Sequence, residues 1–173
     1  MNDDETYLRR ALALAAAAAY EGDVPIGAVL VSGDLVLEGK NEKEARRDPT
    51  AHAEMLLLRE AARRLGAWRL SDATLYVTKE PCIMCAGAMI AARIKRLVYG
   101  APDPKGGADG GAFDVLRSAR TNHRLEVTAG VLQSEAAEQL QRFFREKRGL
   151  SQEEEGMDAP ASQPKASERW SSG

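Results

Sequence analysis

At 173 residues, 44% hydrophobic and 29% charged, the chain has the size and balance of one soluble globular domain with room for a tail, which excludes wholesale disorder and a chain built of membrane spans. Its net charge of -2 excludes a strongly basic surface, yet residues 151–173 hold five acidic and two basic side chains, leaving 22 basic and 21 acidic on residues 1–150. Any contact with nucleic acid must then come from local clusters such as Arg46-Arg47 or Arg142, Arg145, Lys147 and Arg148.

Arg9-Arg10 followed by Ala11 to Ala19 has the outline of a secretory signal, but Asp3, Asp4 and Glu5 stand where a signal is basic and the run is alanine rather than leucine. A first helix capped by Asp3 or Asp4, with Leu8 and Leu12 one turn apart, explains it better and implies cytoplasmic residence. Cysteine usage agrees, because Cys82 and Cys85 are the only two and cannot form a disulfide framework. Ile26 to Val31 and Leu35 to Leu37 around Ser32-Gly33-Asp34 predict a hairpin, followed by a loop through Lys40 to Pro49. Met55, Leu58, Ala62 and Leu65 recur at helical spacing, with Thr50 as cap and Gly66 as stop.

Thr74 to Thr78 reads as a strand, Cys82 to Ala92 as an apolar helix begun at Pro81, and Arg96 to Tyr99 as another strand. That alternation implies a right-handed crossover and a mixed sheet, opened by an antiparallel hairpin, with helices on both faces. A Gly-rich loop (Ala101 to Gly111), a short helical piece near Asp114, a strand at Leu125 to Thr128 and a helix from about Ser134 to Arg148 complete the body. Residues 151–173, rich in Ser, Glu, Pro and Gly, are expected to form a disordered acidic tail.

The chemistry lies in His52-Ala53-Glu54 and Pro81-Cys82-Ile83-Met84-Cys85, each at a predicted helix start. Cys82 and Cys85 share one face of a first turn, so two sulfurs can bind one ion, and the amides of a helix N-terminus favour the thiolate form. With His52 the donor set suits zinc and leaves the fourth tetrahedral position open, as catalytic sites do. The one other histidine, His123, sits in a Thr-Asn-His-Arg loop where bonding to backbone is the better reading than ligation. Zinc lowers the pKa of a bound water to about 7. Glu54, two residues beyond His52, is placed to carry that water's proton to the substrate, assistance typically worth about 10² to 10⁴ in rate.

Together these residues form the H-x-E and P-C-x-x-C signature of zinc deaminases, and the likeness reaches further. VPIGAVLV (Val24 to Val31), DPTAHAEM (Asp48 to Met55), LYVTKEPCIMCAGAMI (Leu75 to Ile90), RLVYGAPDPKGGADGG (Arg96 to Gly111) and RFFREKR (Arg142 to Arg148) resemble the bacterial tRNA-specific adenosine deaminase family over roughly residues 5 to 148. The resemblance implies an α/β fold of the cytidine deaminase-like kind, a three-layer α/β/α sandwich with a mixed five-stranded sheet, filling a deaminase domain over residues 1–150. It implies a homodimer with one zinc ion (Zn2+) per subunit. It also implies hydrolytic deamination of adenosine to inosine at the wobble position of a tRNA anticodon stem-loop, the base being flipped into the pocket.

Carried over by position, His52, Cys82 and Cys85 look like the zinc ligands and Glu54 like the proton shuttle. Asn41 looks like the amide that reads the purine edge with one donor and one acceptor, and Ala53 is similar to the family's substrate-binding position between histidine and glutamate. Asp103 resembles the loop aspartate beside the RNA, able to accept from a ribose hydroxyl, although a turn residue between two prolines reads equally well. Phe144 and Arg145 resemble residues of the helix bordering the RNA groove, where an aromatic supports a base and a cation a phosphate. Pro104, and the pair Gly110-Gly111, depart from the family pattern and affect local loop geometry.

The rival enzyme is a zinc deaminase of a free nucleobase or nucleotide, of the guanine or deoxycytidylate type, which has no use for RFFREKR as an RNA border. A zinc-stabilised, non-catalytic RNA-binding module would leave Glu54 without a role and the metal without a fourth ligand.

Overall fold

The computed structural model describes residues 2–157, with side chains described for residues 2–150. Five strands form one sheet in the order β2-β1-β3-β4-β5, with β1 Gly27–Ser32, β2 Leu35–Lys40, β3 Thr74–Lys79, β4 Arg96–Ala101 and β5 Glu126–Ala129. β1 pairs antiparallel with both β2 and β3, whereas β3, β4 and β5 run parallel. The expected mixed sheet opened by a hairpin is therefore present. Helices α1 (Asp3–Tyr20) and α5 (Gln133–Met157) cover one face, and α3 (Ala53–Leu65) and α4 (Ile83–Ala91) the other; α2 (Lys43–Arg46) is a single turn. Among the described residues no helix is long and apolar enough to cross a membrane.

Strand alternation sorts the two cores. Ala28 and Leu30, Leu75 and Val77, Leu97 and Tyr99 point towards α3 and α4, while Val29, Tyr76 and Val98 meet Leu8 and Ala11 of α1. Leu97 is fully buried, and cutting such a side chain back to alanine costs about 2–5 kcal/mol. The alanine run of α1 has a packing purpose. Leu8, Ala11, Ala15 and Ala18 form its buried stripe, and the helix lies so close to β1 that a Cβ at Gly27 would run into the backbone of Ala11 and Ala15.

Several local expectations are corrected by competition for hydrogen bonds. Asn2, not Asp3 or Asp4, caps α1, its Oδ1 accepting from Glu5 N at 2.9 Å. Asp4 is instead engaged by Arg96 at 2.7 and 2.8 Å, which ties α1 to the start of β4. Thr50 does not cap α3: its N–H and hydroxyl both donate to Asp48 Oδ1 at 2.8 Å in a local turn, and the helix begins only at Ala53, with His52 as N-cap. Gly66 does stop it, in the left-handed conformation at φ 64°. Near Asp114 there is no helix but turns and two isolated bridges, Cys82 with Gly107 and Asp109 with Asp114. The helix expected to end at Arg148 continues to Met157, so residues 151–157 are helical rather than part of a disordered tail; the remainder of that tail, 158–173, lies outside the described residues.

Candidate active site

His52 and Cys82 occupy equivalent places, each the N-cap of its helix with extended backbone (φ -72°, ψ 149° and φ -72°, ψ 171°), and neither side chain caps its own helix. Both are thereby free to project from the helix starts, where α3 and α4 stand side by side on the sheet. His52 Nδ1 lies 3.6 Å from Cys82 Sγ and 3.5 Å from Cys85 Sγ, and the three donor atoms all fall within 4.8 Å of one another. Ligands about 2.0–2.3 Å from one tetrahedral ion stand roughly 3.5 Å apart, close to both His52–cysteine distances, so the residues present suit zinc. That Nδ1 is the nitrogen facing the two sulfurs is a detail that the His-x-Glu spacing could not assign.

The titration of the three groups is mutual. A hydrogen bond from Cys85 and another from His52 pull the Cys82 thiol down to about 3, although burial opposes them. The same contact with Cys82, together with burial, pushes Cys85 well above the usual thiol range, and the hydrogen bond with Cys82 raises His52. Negative charge thus collects on sulfur while protons hold the cluster together, and a divalent cation can replace those protons.

Glu54 is 3% exposed and its Oε2 has no hydrogen-bond partner. Burial is the main cause that raises its carboxyl above the ordinary range, with the His52 charge opposing and that of Cys82 adding to it. A buried acceptor left unpaired costs about 1–3 kcal/mol. Such a group beside a metal-ligand set, held towards its protonated form, has the properties of a proton carrier.

Asn41 is also buried, but its Oδ1 already accepts from Ala53 N at 2.9 Å. One lone pair of the amide oxygen is thus engaged by Ala53 N, the first amide of α3, which leaves Asn41 a second lone pair and its NH₂ group. His123 stays out of the cluster, its Nε2 lying 2.8 Å from Ile94 O, the bond to backbone that its loop position suggests.

The remaining expected residues meet in one groove of about 870 Å³ between the loop after β4 and α5, lined by Lys79, Asp103, Pro104, Phe144, Arg145 and Arg148 among others. Asp103 serves both readings at once. Its Oδ1 accepts from Lys105 N and Gly106 N at 3.1 Å, a turn closure, while Oδ2 meets Lys79 Nζ at 2.9 Å on the groove wall. Phe144 is 41% exposed and Phe143 partly buried, their rings edge to face at 5.4 Å, so one of the two aromatics packs and the other is presented. Sequence reasoning missed Glu80, whose carboxylate is 4% exposed and accepts from Asp103 N, Asp109 N and Gly111 N. The available signal was a charged residue wedged between a buried strand and Pro81-Cys82.

Comparison with known proteins fits this geometry. Residues 2–148 match the family model described as MafB19-like deaminase. A tRNA-specific adenosine deaminase of Bacillus subtilis is 48% identical over 149 residues, covering 86% of this chain and 92% of that protein, and one of Haemophilus influenzae is 48% identical over 147 residues, covering 84% and 85%. A structure from a study of A-to-I editing by tRNA:A34 deaminases at the wobble position of transfer RNA superposes with TM-score 0.73 at 44% identity, over 78% of this chain and 99% of that one. A guanine deaminase from Nitrosomonas europaea shares the fold at TM-score 0.70 and 25% identity, over 83% and 85%. With a His/Cys/Cys cluster beside a buried glutamate, and with relatives this similar over nearly their whole length, the chain belongs to the tRNA-specific adenosine deaminase family of MafB19-like deaminases.

Proposed function

We propose that this protein hydrolyses the wobble adenosine of a tRNA anticodon stem-loop to inosine, replacing the C6 amine by oxygen and releasing ammonia. The observation that carries the reading is Glu54, a buried carboxylate with an unpartnered oxygen two residues beyond His52. His52 Nδ1, Cys82 Sγ and Cys85 Sγ would hold one zinc ion per subunit, which supplies a water acidified to a pKa of about 7. Glu54 takes one proton of the attacking water and gives it to the ring nitrogen, then takes the second from the hydroxyl now on C6 and passes it to the departing amine. The NH₂ of Asn41 donates to a purine acceptor.

In the groove, Asp103 accepts from a ribose hydroxyl, Phe144 supports a neighbouring base and Arg145 pairs with phosphate. An unstacked adenosine has to be extruded to reach a buried carboxylate, which an anticodon loop permits at low cost. Residues 1–150 constitute the deaminase domain, working in the cytoplasm as a homodimer. In support of the dimer, α4 is apolar throughout, and Ile83, Gly87 and Ala91, four residues apart on its outer side, are all exposed, Ile83 by 52%.

The test is inosine formation by zinc-loaded protein on an anticodon stem-loop with a wobble adenosine, beside free adenosine, cytidine and guanine. Inosine in the stem-loop alone is the expected result. Turnover of a free base with the RNA untouched would keep the zinc chemistry and transfer the protein to the free-nucleobase type. Sedimentation at micromolar concentration checks the dimer, and a monomer would refute it.

A further inference from the structure

We infer that Glu80 is a positioning residue that anchors the RNA-facing wall of the groove to the start of the metal-binding helix. The inference rests on the reading of that wall as an RNA border. Between β4 and β5, residues 102–125 contain no helix or strand, only turns and isolated bridges. So long an irregular segment must satisfy its amides individually. One side chain serves three of them: Glu80 Oε1 accepts from Asp103 N at 3.0 Å, and Oε2 from Asp109 N at 3.0 Å and Gly111 N at 3.1 Å.

The residues on both sides of Glu80 join in. Lys79 Nζ holds Asp103 Oδ2 at 2.9 Å, and Pro81 O accepts from Ala108 N at 2.9 Å. The next residue along, Cys82, bridges to Gly107. The loop is thus stitched to residues 79–82, of which the last is a member of the metal cluster. Packing confirms how tight the seam is. A Cβ at Gly107 or at Gly111 would collide with Glu80 Oε2 and with Asp103 O, so these two positions have space for glycine alone. Glu80 does not line the groove and cannot touch a substrate there. Its effect on RNA is transmitted through Asp103, whose backbone it fixes and whose carboxylate faces the same groove as Phe144 and Arg145.

A glutamine at this place retains one carbonyl oxygen but turns the other acceptor into a donor, facing N–H groups that also donate. At least one loop amide must then lose its partner. Glu80→Gln is expected to raise KM for the anticodon stem-loop by about tenfold, the effect of losing one charge-assisted hydrogen bond. Its kcat should stay near that of the parent, because Glu54 and the metal ligands are not touched. Metal stoichiometry and the visible bands of the cobalt-substituted protein should also be unchanged, while the amides of Asp103, Asp109 and Gly111 exchange hydrogen faster. Glu80→Asp, which keeps both acceptors on a shorter stem, should recover part of the affinity. If Glu80→Gln does not fold, Glu80→Asp carries the test alone, with a smaller rise in KM and unchanged kcat and cobalt bands.

An unchanged KM with fast-exchanging amides would overturn the inference, since the wall would then be dispensable for RNA. So would a fall in kcat with altered cobalt bands, which would make Glu80 a support of the metal cage. If the parent protein itself leaves the stem-loop unreacted, the tRNA reading fails and takes the RNA role of the wall with it; the exchange measurement separates that failure from an absent clamp.

Discussion

The metal cluster and the groove wall lie at the same end of the sheet and are built in opposite ways. The cluster draws all of its groups, His52, Glu54, Cys82 and Cys85, from the starts of two helices, within three residues of each other along the chain in each case. The wall draws on β3, the loop after β4 and α5, and the loop keeps its shape through a buried carboxylate more than twenty residues away from the amides it serves. In the cluster Glu54 and Cys85 are buried and His52 and Cys82 half-buried; the wall exposes Phe144 and Arg145, the groups proposed for recognition. Damage to the first should therefore remove chemistry, and damage to the second affinity.

The largest expected effect tests the first half of that division. Cys85→Ser exchanges a buried sulfur for a poorer zinc ligand, and both metal content and deamination should fall to background, as measured by metal analysis and inosine formation on the same preparation. Retention of a full zinc equivalent with activity would show that the three-residue cluster is not the site. Glu54→Gln comes next. It keeps the volume but cannot carry the proton, so turnover should drop by about 10² to 10⁴ while zinc stays bound. A variant that still made inosine at near the parent rate would displace Glu54 from its role.

How much of this could be read beforehand follows the same division. The cluster was legible because its spacing is local: a ligand and a carboxylate at i and i+2, and two thiols at i and i+3, each beside a helix-starting signal. The crossover from β3 through α4 to β4 was legible for the same reason, from alternating strand and helix periods bounded by Gly66 and Pro81. What escaped was decided by competition. Thr50 could have capped α3, but it closes a turn with Asp48 and the helix starts only at Ala53. The bond by which Asn41 Oδ1 accepts from Ala53 N and pins the start of α3 joins residues twelve apart, which no local spacing shows. The loop near Asp114 lacks a helix because its amides find Glu80, Pro81 O and each other, partners that no local pattern announces. At the other end, the polar composition of Ser151 to Met157 suggests a tail, yet its glutamates and glutamine are good helix formers and α5 continues through it.

Smaller effects belong to the wall, and they sharpen the comparison because they should leave zinc and kcat in place. Phe144→Ala removes the presented ring, and losing one base stack, worth about 1–3 kcal/mol, should raise KM roughly tenfold or more. Equal KM values for Phe144→Ala and the parent would mean that the ring is exposed without being used.

Arg145→Ala should have the smallest effect, and its signature is ionic. A single phosphate contact in water is screened, so at physiological salt the loss in affinity should be only a few-fold. What distinguishes a phosphate partner from a structural one is the salt dependence: each contact contributes a slope of about 0.7 to 0.9 in the logarithm of affinity against the logarithm of salt concentration. Measured from low to physiological salt, the slope for Arg145→Ala should be shallower than the parent's by about that amount, and the two affinities should converge as salt rises. Parallel lines would mean that Arg145 never meets the RNA backbone. Phe144→Ala supplies the control, because a lost stack lowers affinity at every salt concentration and leaves the slope alone. The two neighbours on α5 would then be told apart by the shape of their salt curves, even where their effects on KM overlap.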